Sequence, residues 1–181
     1  MRSIWMPAAT ALAIVVTLTG CHSEAPVVIP TAAPTSTPVF ANDEEALAAA
    51  TKAYGEYLAV SNQIAADGGT DVERIDAVVA PSFRDESRKS FDSFVKNKTK
   101  TSGSGTFDST KLQMFDDGTI RIYLCFDVSK VKVVNASGKD VTPANRPDRI
   151  PLEVGFDLTN DQSEPLLSSS DVWDETAFCD R

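Results

Sequence analysis

Thr119-Ile120-Arg121-Ile122-Tyr123-Leu124-Cys125-Phe126-Asp127-Val128 is the stretch that decides the fold class. Side chains alternate along a strand, so Ile120, Ile122, Leu124, Phe126 and Val128 share one face. Thr119, Arg121, Tyr123, Cys125 and Asp127 share the other. One apolar face opposed to a mostly polar one marks an antiparallel sheet packed on a single side. The strand is expected to run on from Thr119 to Val134. Before it, Phe107 to Phe115 reads as a partner strand, with Asp116-Asp117-Gly118 as the hairpin turn. After it, Asn135-Ala136-Ser137-Gly138 turns the chain, and a polar loop with two prolines runs to Asp148. Leu152, Val154, Phe156 and Leu158 line one side of a third strand, and a fourth covers Leu166 to Phe178, with Trp173 its largest residue.

Upstream of this sheet the apolar period lengthens to that of a helix. Asn42 can cap a first helix with Glu45 completing a capping box, and Leu47, Ala50, Tyr54, Tyr57, Leu58, Ser61 and Ile64 recur at helical spacing. Asp67-Gly68-Gly69 ends it. Thr70-Asp71-Val72-Glu73 reads as a second capping box, opening a helix that buries Val72, Ile75, Val78 and Val79 and stops at Pro81. A third helix is expected from about Arg84 to Lys98, with Phe83, Ser87, Phe91, Phe94 and Val95 inward. Thr101-Ser102-Gly103-Ser104-Gly105 reads as a flexible break. Helices followed by a run of antiparallel strands give an α+β domain over residues 42–181, N-terminal helices on a four-stranded sheet.

That element order resembles the NTF2-like (cystatin-like) superfamily, in which a long first helix lies in the concavity of a curved four-stranded sheet. The resemblance implies a cone that in some members holds an isomerase, dehydratase or cyclase site, with a carboxylate, tyrosine or histidine inside as acid or base. On this chain the candidate pocket residues are Tyr54, Tyr57, Tyr123, Asp127, Asp157 and Trp173. Tyr123 and Asp127 point to one face of their strand and would form a proton-transfer pair if that face lined a cavity. The competing reading is that this face meets solvent, where Arg121 and Asp127 belong.

The N-terminus carries an address. Arg2 and the apolar run Ala8 to Leu18 form a signal-peptide pattern, too short for a membrane span, which needs about 20 apolar residues. Leu18-Thr19-Gly20-Cys21 resembles the lipobox of bacterial lipoproteins. The resemblance implies cleavage between Gly20 and Cys21 and a diacylglyceryl group on the Cys21 sulfur. Residues 21–41 then form a tether in which Pro26, Pro30, Pro34 and Pro38 recur among Ala, Thr, Ser and Val, a composition for an extended, partly stiff spacer. The alanine and threonine richness suggests an actinobacterial host.

Composition narrows the function further. The 181 residues carry 26 acidic and 17 basic side chains, a net charge of −9, which argues against a nucleic-acid partner. The single histidine, His22, sits in the tether and leaves the domain without one for a catalytic triad or a histidine-rich metal site. With Cys21 acylated, Cys125 and Cys179 remain as a pair, and outside the cytoplasm a bridge between them would staple the C-terminus to the sheet. The alternative is two buried thiols.

Other signals are weak. Asp116-Asp117-Gly118 gives way to a strand before an EF-hand could form, and no glycine-rich phosphate loop is present. Asn97-Lys98-Thr99 and Asn135-Ala136-Ser137 match the glycosylation pattern by coincidence, and Lys96, Lys98 and Lys100 read as a solvated helix end. The expectation is a lipid-anchored protein on the extracytoplasmic face of the cell membrane. It would present a non-catalytic binding domain, without cofactor or metal, to an envelope protein, a wall component or a small apolar ligand. An NTF2-like enzyme or ligand carrier using the cone is the alternative.

Overall fold

The computed structural model describes residues 39–116, 118–158 and 164–180. The expected signal segment 1–20 with Gly20, the lipidation site Cys21 and nearly all of the tether lie outside these residues, as does Asp117. Thr37–Arg181 forms one compact unit with its own core, the criterion for a part that folds alone.

The unit opens with helix α1, Asp43–Ala66. Asn42 caps it, its side-chain oxygen accepting from the Glu45 amide at 2.9 Å, while the Glu45 carboxylate reaches back to the Ala41 amide. Ala46, Ala50, Ala53, Tyr54, Leu58 and Ile64 form the buried stripe. The helix ends where Gly69, at φ +82°, lets its amide bond the Ile64 carbonyl at 2.8 Å. A side chain there would also come within 2.9 Å of the Phe91 carbonyl, so only glycine fits.

The region after α1 departs from expectation. Val72–Ala77 is a 3₁₀ turn rather than an α-helix, and Asp71 before it sits left-handed with no side-chain cap, so the Thr70–Glu73 capping box does not form. The expected helix 84–98 is two short ones, α2 (Arg84–Lys89) and α3 (Asp92–Asn97). The chain tightens between them, where the Phe91 amide bonds the Arg88 carbonyl, and this seats Phe91 in the core beside Phe83. Val95, expected inside, is left 58% exposed.

Among the described residues six strands follow: β1 (Thr99–Ser102), β2 (Thr106–Phe115), β3 (Thr119–Asp127), β4 (Lys132–Asn135), β5 (Arg149–Asp157) and β6 (Leu166–Val172). β2, β3, β5 and β6 make a four-stranded sheet in that order, every pairing antiparallel, and β1 pairs with β4 in a separate two-stranded ribbon. The supposed flexible break is therefore partly strand. The single strand expected over Thr119–Val134 is broken in two. It leaves the sheet at Val128, whose amide bonds the Asp148 carbonyl, while Arg146 donates to the carbonyls of Val128 (2.8 Å) and Val131 (2.9 Å). The last strand also ends early, at Val172, and a 3₁₀ turn, Thr176–Cys179, follows it.

The core forms where α1 crosses the sheet. Tyr54, Ile64, Ile120, Ile122, Leu124, Val154, Phe156 and Leu167 are all but fully buried there, at about 1.5–3 kcal/mol for each large apolar side chain. This is the α+β arrangement expected, a long first helix on a four-stranded antiparallel sheet. Phe107, Leu112, Phe115 and Phe126 extend the core toward β2. β2 is one edge of the sheet, and two register shifts, with Ser109 at φ +58° in the first, break its regularity. Such irregularities blunt an edge against pairing with another chain.

Candidate functional site

The chemistry-bearing residues collect on the face of the sheet turned away from α1. Register sets Lys111, Tyr123, Glu153 and Asp171 in one row across β2, β3, β5 and β6. After β6 the chain folds back over this row. The Trp173 amide donates to the Pro151 carbonyl at 2.9 Å, and the 3₁₀ turn brings Phe178 and Cys179 onto the strands. Trp173 stacks on Tyr123 with ring centroids 4.0 Å apart and planes 20° apart. Phe178 stands edge-on to both, 5.2 Å from Trp173 and 6.3 Å from Tyr123, with the Lys111 ammonium 5.3 Å over its own ring. A polar rim adjoins the rings. Gln113 donates to the Tyr123 hydroxyl, and Arg121 donates to Glu153 at 2.9 Å.

Two links hold the C-terminal segment in place. The sulfurs of Cys125 and Cys179 are at disulfide distance, with Cα atoms 5.5 Å apart, and both residues are buried. Beside them Arg149 reaches Asp108 with two bonds (2.8 and 3.1 Å), Asp127 at 2.9 Å and the Cys179 carbonyl at 3.0 Å. The second oxygen of Asp127 accepts from the Ser129 amide and hydroxyl, capping the turn that takes the chain out of the sheet. These Ser129 bonds, and then Arg149, hold the Asp127 carboxyl below the usual carboxylate range. Its neighbours thus keep Asp127 ionised and both its oxygens occupied, the opposite of what a general acid needs.

The candidate pocket residues do not meet in one cavity. Tyr54 and Tyr57 lie on α1, on the other side of the sheet, where Tyr54 packs edge-on against Phe107 at 4.8 Å. Burial raises the pKa of both phenols, keeping them neutral. Asp157 ends β5 opposite Thr119 and Leu166, four positions along from Glu153. Tyr123 and Trp173 do come together, as a stacked pair on the outer face, with Asp127 further along β3. That face is not simply wet: Cys125 is buried on it and the C-terminal segment covers part of it. Arg149, Asp108, Gln113, Glu153 and Phe178 complete the arrangement and were not singled out by sequence reasoning. Among the described residues, no group of His, Cys, Asp and Glu is placed to hold a metal ion.

No protein-family model matches the chain, and no curated protein does. Among solved structures the chain is similar to a protein from Xanthomonas campestris described as a calcium/calmodulin dependent protein kinase II association domain. The two are 14% identical over 70% of this chain and 86% of the other, with a TM-score of 0.39.

Proposed function

We propose that this is a lipid-anchored cell-envelope protein that presents an NTF2-like interaction domain, without catalysis of its own, on the extracytoplasmic side of the membrane. The observation that carries the interaction reading is the Tyr123–Trp173–Phe178 cluster on the outer face of the sheet, with its rim of Gln113, Arg121 and Glu153. Aromatic and arginine side chains grouped in this way are the residues that dominate protein interfaces. The interior supports a non-catalytic role, because the space between α1 and the sheet is filled by Tyr54, Phe156 and the aliphatic residues around them. The bridge between Cys125 and Cys179 is oxidised in this reading, as the compartment favours. The Cys21 lipid and the proline-rich tether confine the domain to a thin layer near the membrane, which raises its effective concentration toward a partner there.

In-cell crosslinking of the native chain, its Cys21→Ala variant and its Trp173→Ala variant tests both halves. Cys21→Ala should leave the membrane fraction, and Trp173→Ala should stay in it but lose its crosslinked partner. Membrane retention of Cys21→Ala would refute the anchor, and an unchanged crosslink pattern in Trp173→Ala would refute the surface.

A further inference from the structure

At the far end of α1 from the tether lies a second feature, independent of the aromatic face. Gly68 and Thr70, α3 and the β1–β4 ribbon border an open surface cavity of about 680 Å³. Phe94 and Val95 supply an apolar wall, Lys98 and Lys100 two ammonium groups, and the Asn135–Gly138 turn the opposite side. No carboxylate lines it, in a chain with an acidic excess. Among the described residues Lys98 and Lys100 have no ion-pair partner, a trait they share with Arg84, Lys89, Lys96, Lys111, Lys130, Lys139 and Arg146, so what sets them apart is their place together on one cavity. Lys98 is left-handed at φ +52° because it ends α3, its amide turned back to the Phe94 and Val95 carbonyls, and this C-cap turn sets it on the cavity rim. The third lysine of the sequence cluster, Lys96, lines a neighbouring depression instead.

We infer that this cavity binds an amphipathic anion, a carboxylate, phosphate or sulfonate carried on an apolar body. Lys98 and Lys100 would meet the charge, and Phe94 with the exposed Val95 would cover the apolar part. A simpler role is open to the lysines. α1 has no basic residue in its last turn, and Lys100 lies beside Gly68, so a cation there complements the negative end of the helix. That role explains a lysine. Phe94 packs partly against the core, so what that role leaves unexplained is the exposed Val95 on the same wall.

Fluorescence titration of the unit 37–181 with anilinonaphthalene sulfonate, an apolar sulfonate, separates the two accounts. Binding should saturate, and decanoate should compete while inorganic phosphate does not. Joint Lys98→Glu and Lys100→Glu substitution should weaken binding by about tenfold or more, as a charge-assisted contact turns repulsive. Val95→Asp should weaken it too, and Lys96→Glu should not. A double variant that melts lower yet binds as well as the parent would show lysines serving α1 alone and overturn the inference. Equal loss in Lys96→Glu would overturn it as diffuse charge, and competition by phosphate as readily as by decanoate would overturn the amphipathic part. If the double variant does not fold, the single Lys98→Ala and Lys100→Ala variants take its place, with the same tenfold criterion between them.

Discussion

Removing the link between Cys125 and Cys179 is the most quantitative test of how the outer face is held. The two residues are 54 positions apart, and for a loop of that length the chain-entropy account gives about 4 kcal/mol. For a unit of this size each kcal/mol shifts the melting temperature by about 3 °C, so reduction should lower it by roughly 12 °C. Cys125 is fully buried and Cys179 6% exposed, so reductant added to the folded protein should act only through local opening of the C-terminal segment. The comparison is therefore between oxidised protein and the same protein unfolded, reduced and refolded with reductant, which keeps both sulfurs and their packing. Differential scanning calorimetry gives the shift. Emission from Trp173, compared with a Trp173→Phe control, should move to longer wavelength as the segment loosens. A shift below about 3 °C with unchanged emission would refute the reasoning and leave Arg149 and the ring contacts as what holds the C-terminus.

Three further outcomes are expected. Asn62 bonds both the amide and the carbonyl of Gly105 at 3.0 Å, so Asn62→Ala should cost about 1–3 kcal/mol in a denaturant titration, and a neutral result would mean water replaces the clamp. Gly105→Ala would put a methyl 2.6 Å from the Phe126 ring and should cost about 1–3 kcal/mol by overpacking, read in the same titration. The Asp127 carboxyl is held below its unfolded value of about 3.9, so its contribution to stability is complete above that pH and is lost as pH falls through the folded value. Asp127→Asn should therefore melt below the parent at neutral pH by a gap that closes in acid, and a gap constant from pH 7 to below 3 would remove Asp127 from the account.

Much of the inner face was legible because a single periodicity governs it. Ile120, Ile122, Leu124, Val154 and Phe156 lie where alternation put them, and α1 begins and ends at its Asn42 cap and its glycine pair. The alternation itself marks where the strand leaves its sheet, because after Val128 its phase reverses: Lys130 and Lys132 take the apolar positions and Val131 and Val133 the polar ones. The break at Val128 is fixed by side chains, Arg146 on two carbonyls and Asp127 on Ser129. The Asp-x-Ser spacing of that turn was visible and was passed over, since an aspartate bonding the backbone two residues on is a turn signal. The helix expected over 84–98 failed for a different reason. Phe83, Ser87 and Phe91 keep helical spacing, and only tertiary packing reveals that seating Phe91 interrupts the helix. The outer face was the least legible part. Its aromatic cluster joins β3 to a segment about fifty residues later, and nothing local in the chain announces that Phe178 and Arg149 will meet Tyr123 and Asp127 there.

The two faces of the sheet together explain why the polar and aromatic clusters of this domain lie outside the space between α1 and the sheet. A single sheet with one helix over it could keep a hollow between them, and a hollow is what an internal active site would need. Here α1 turns small residues toward the strands at Ala46, Ala50 and Ala53, which brings its backbone close, and Tyr54 and Phe156 occupy what space is left. The other face, which would otherwise leave Cys125 and the stem of Arg149 in water, is covered by the returning C-terminus instead of by a second helix. That cover is short, so it buries Cys125 but leaves the rings partly exposed and Gln113 and Arg121 of their polar rim in solvent. Both proposed contact surfaces therefore lie at the margins, on the Tyr123–Trp173 stack and around Lys98 and Lys100. A substitution that hollowed the centre, such as Phe156→Ala, would cost about 3–5 kcal/mol of stability and should leave both of these surfaces chemically intact.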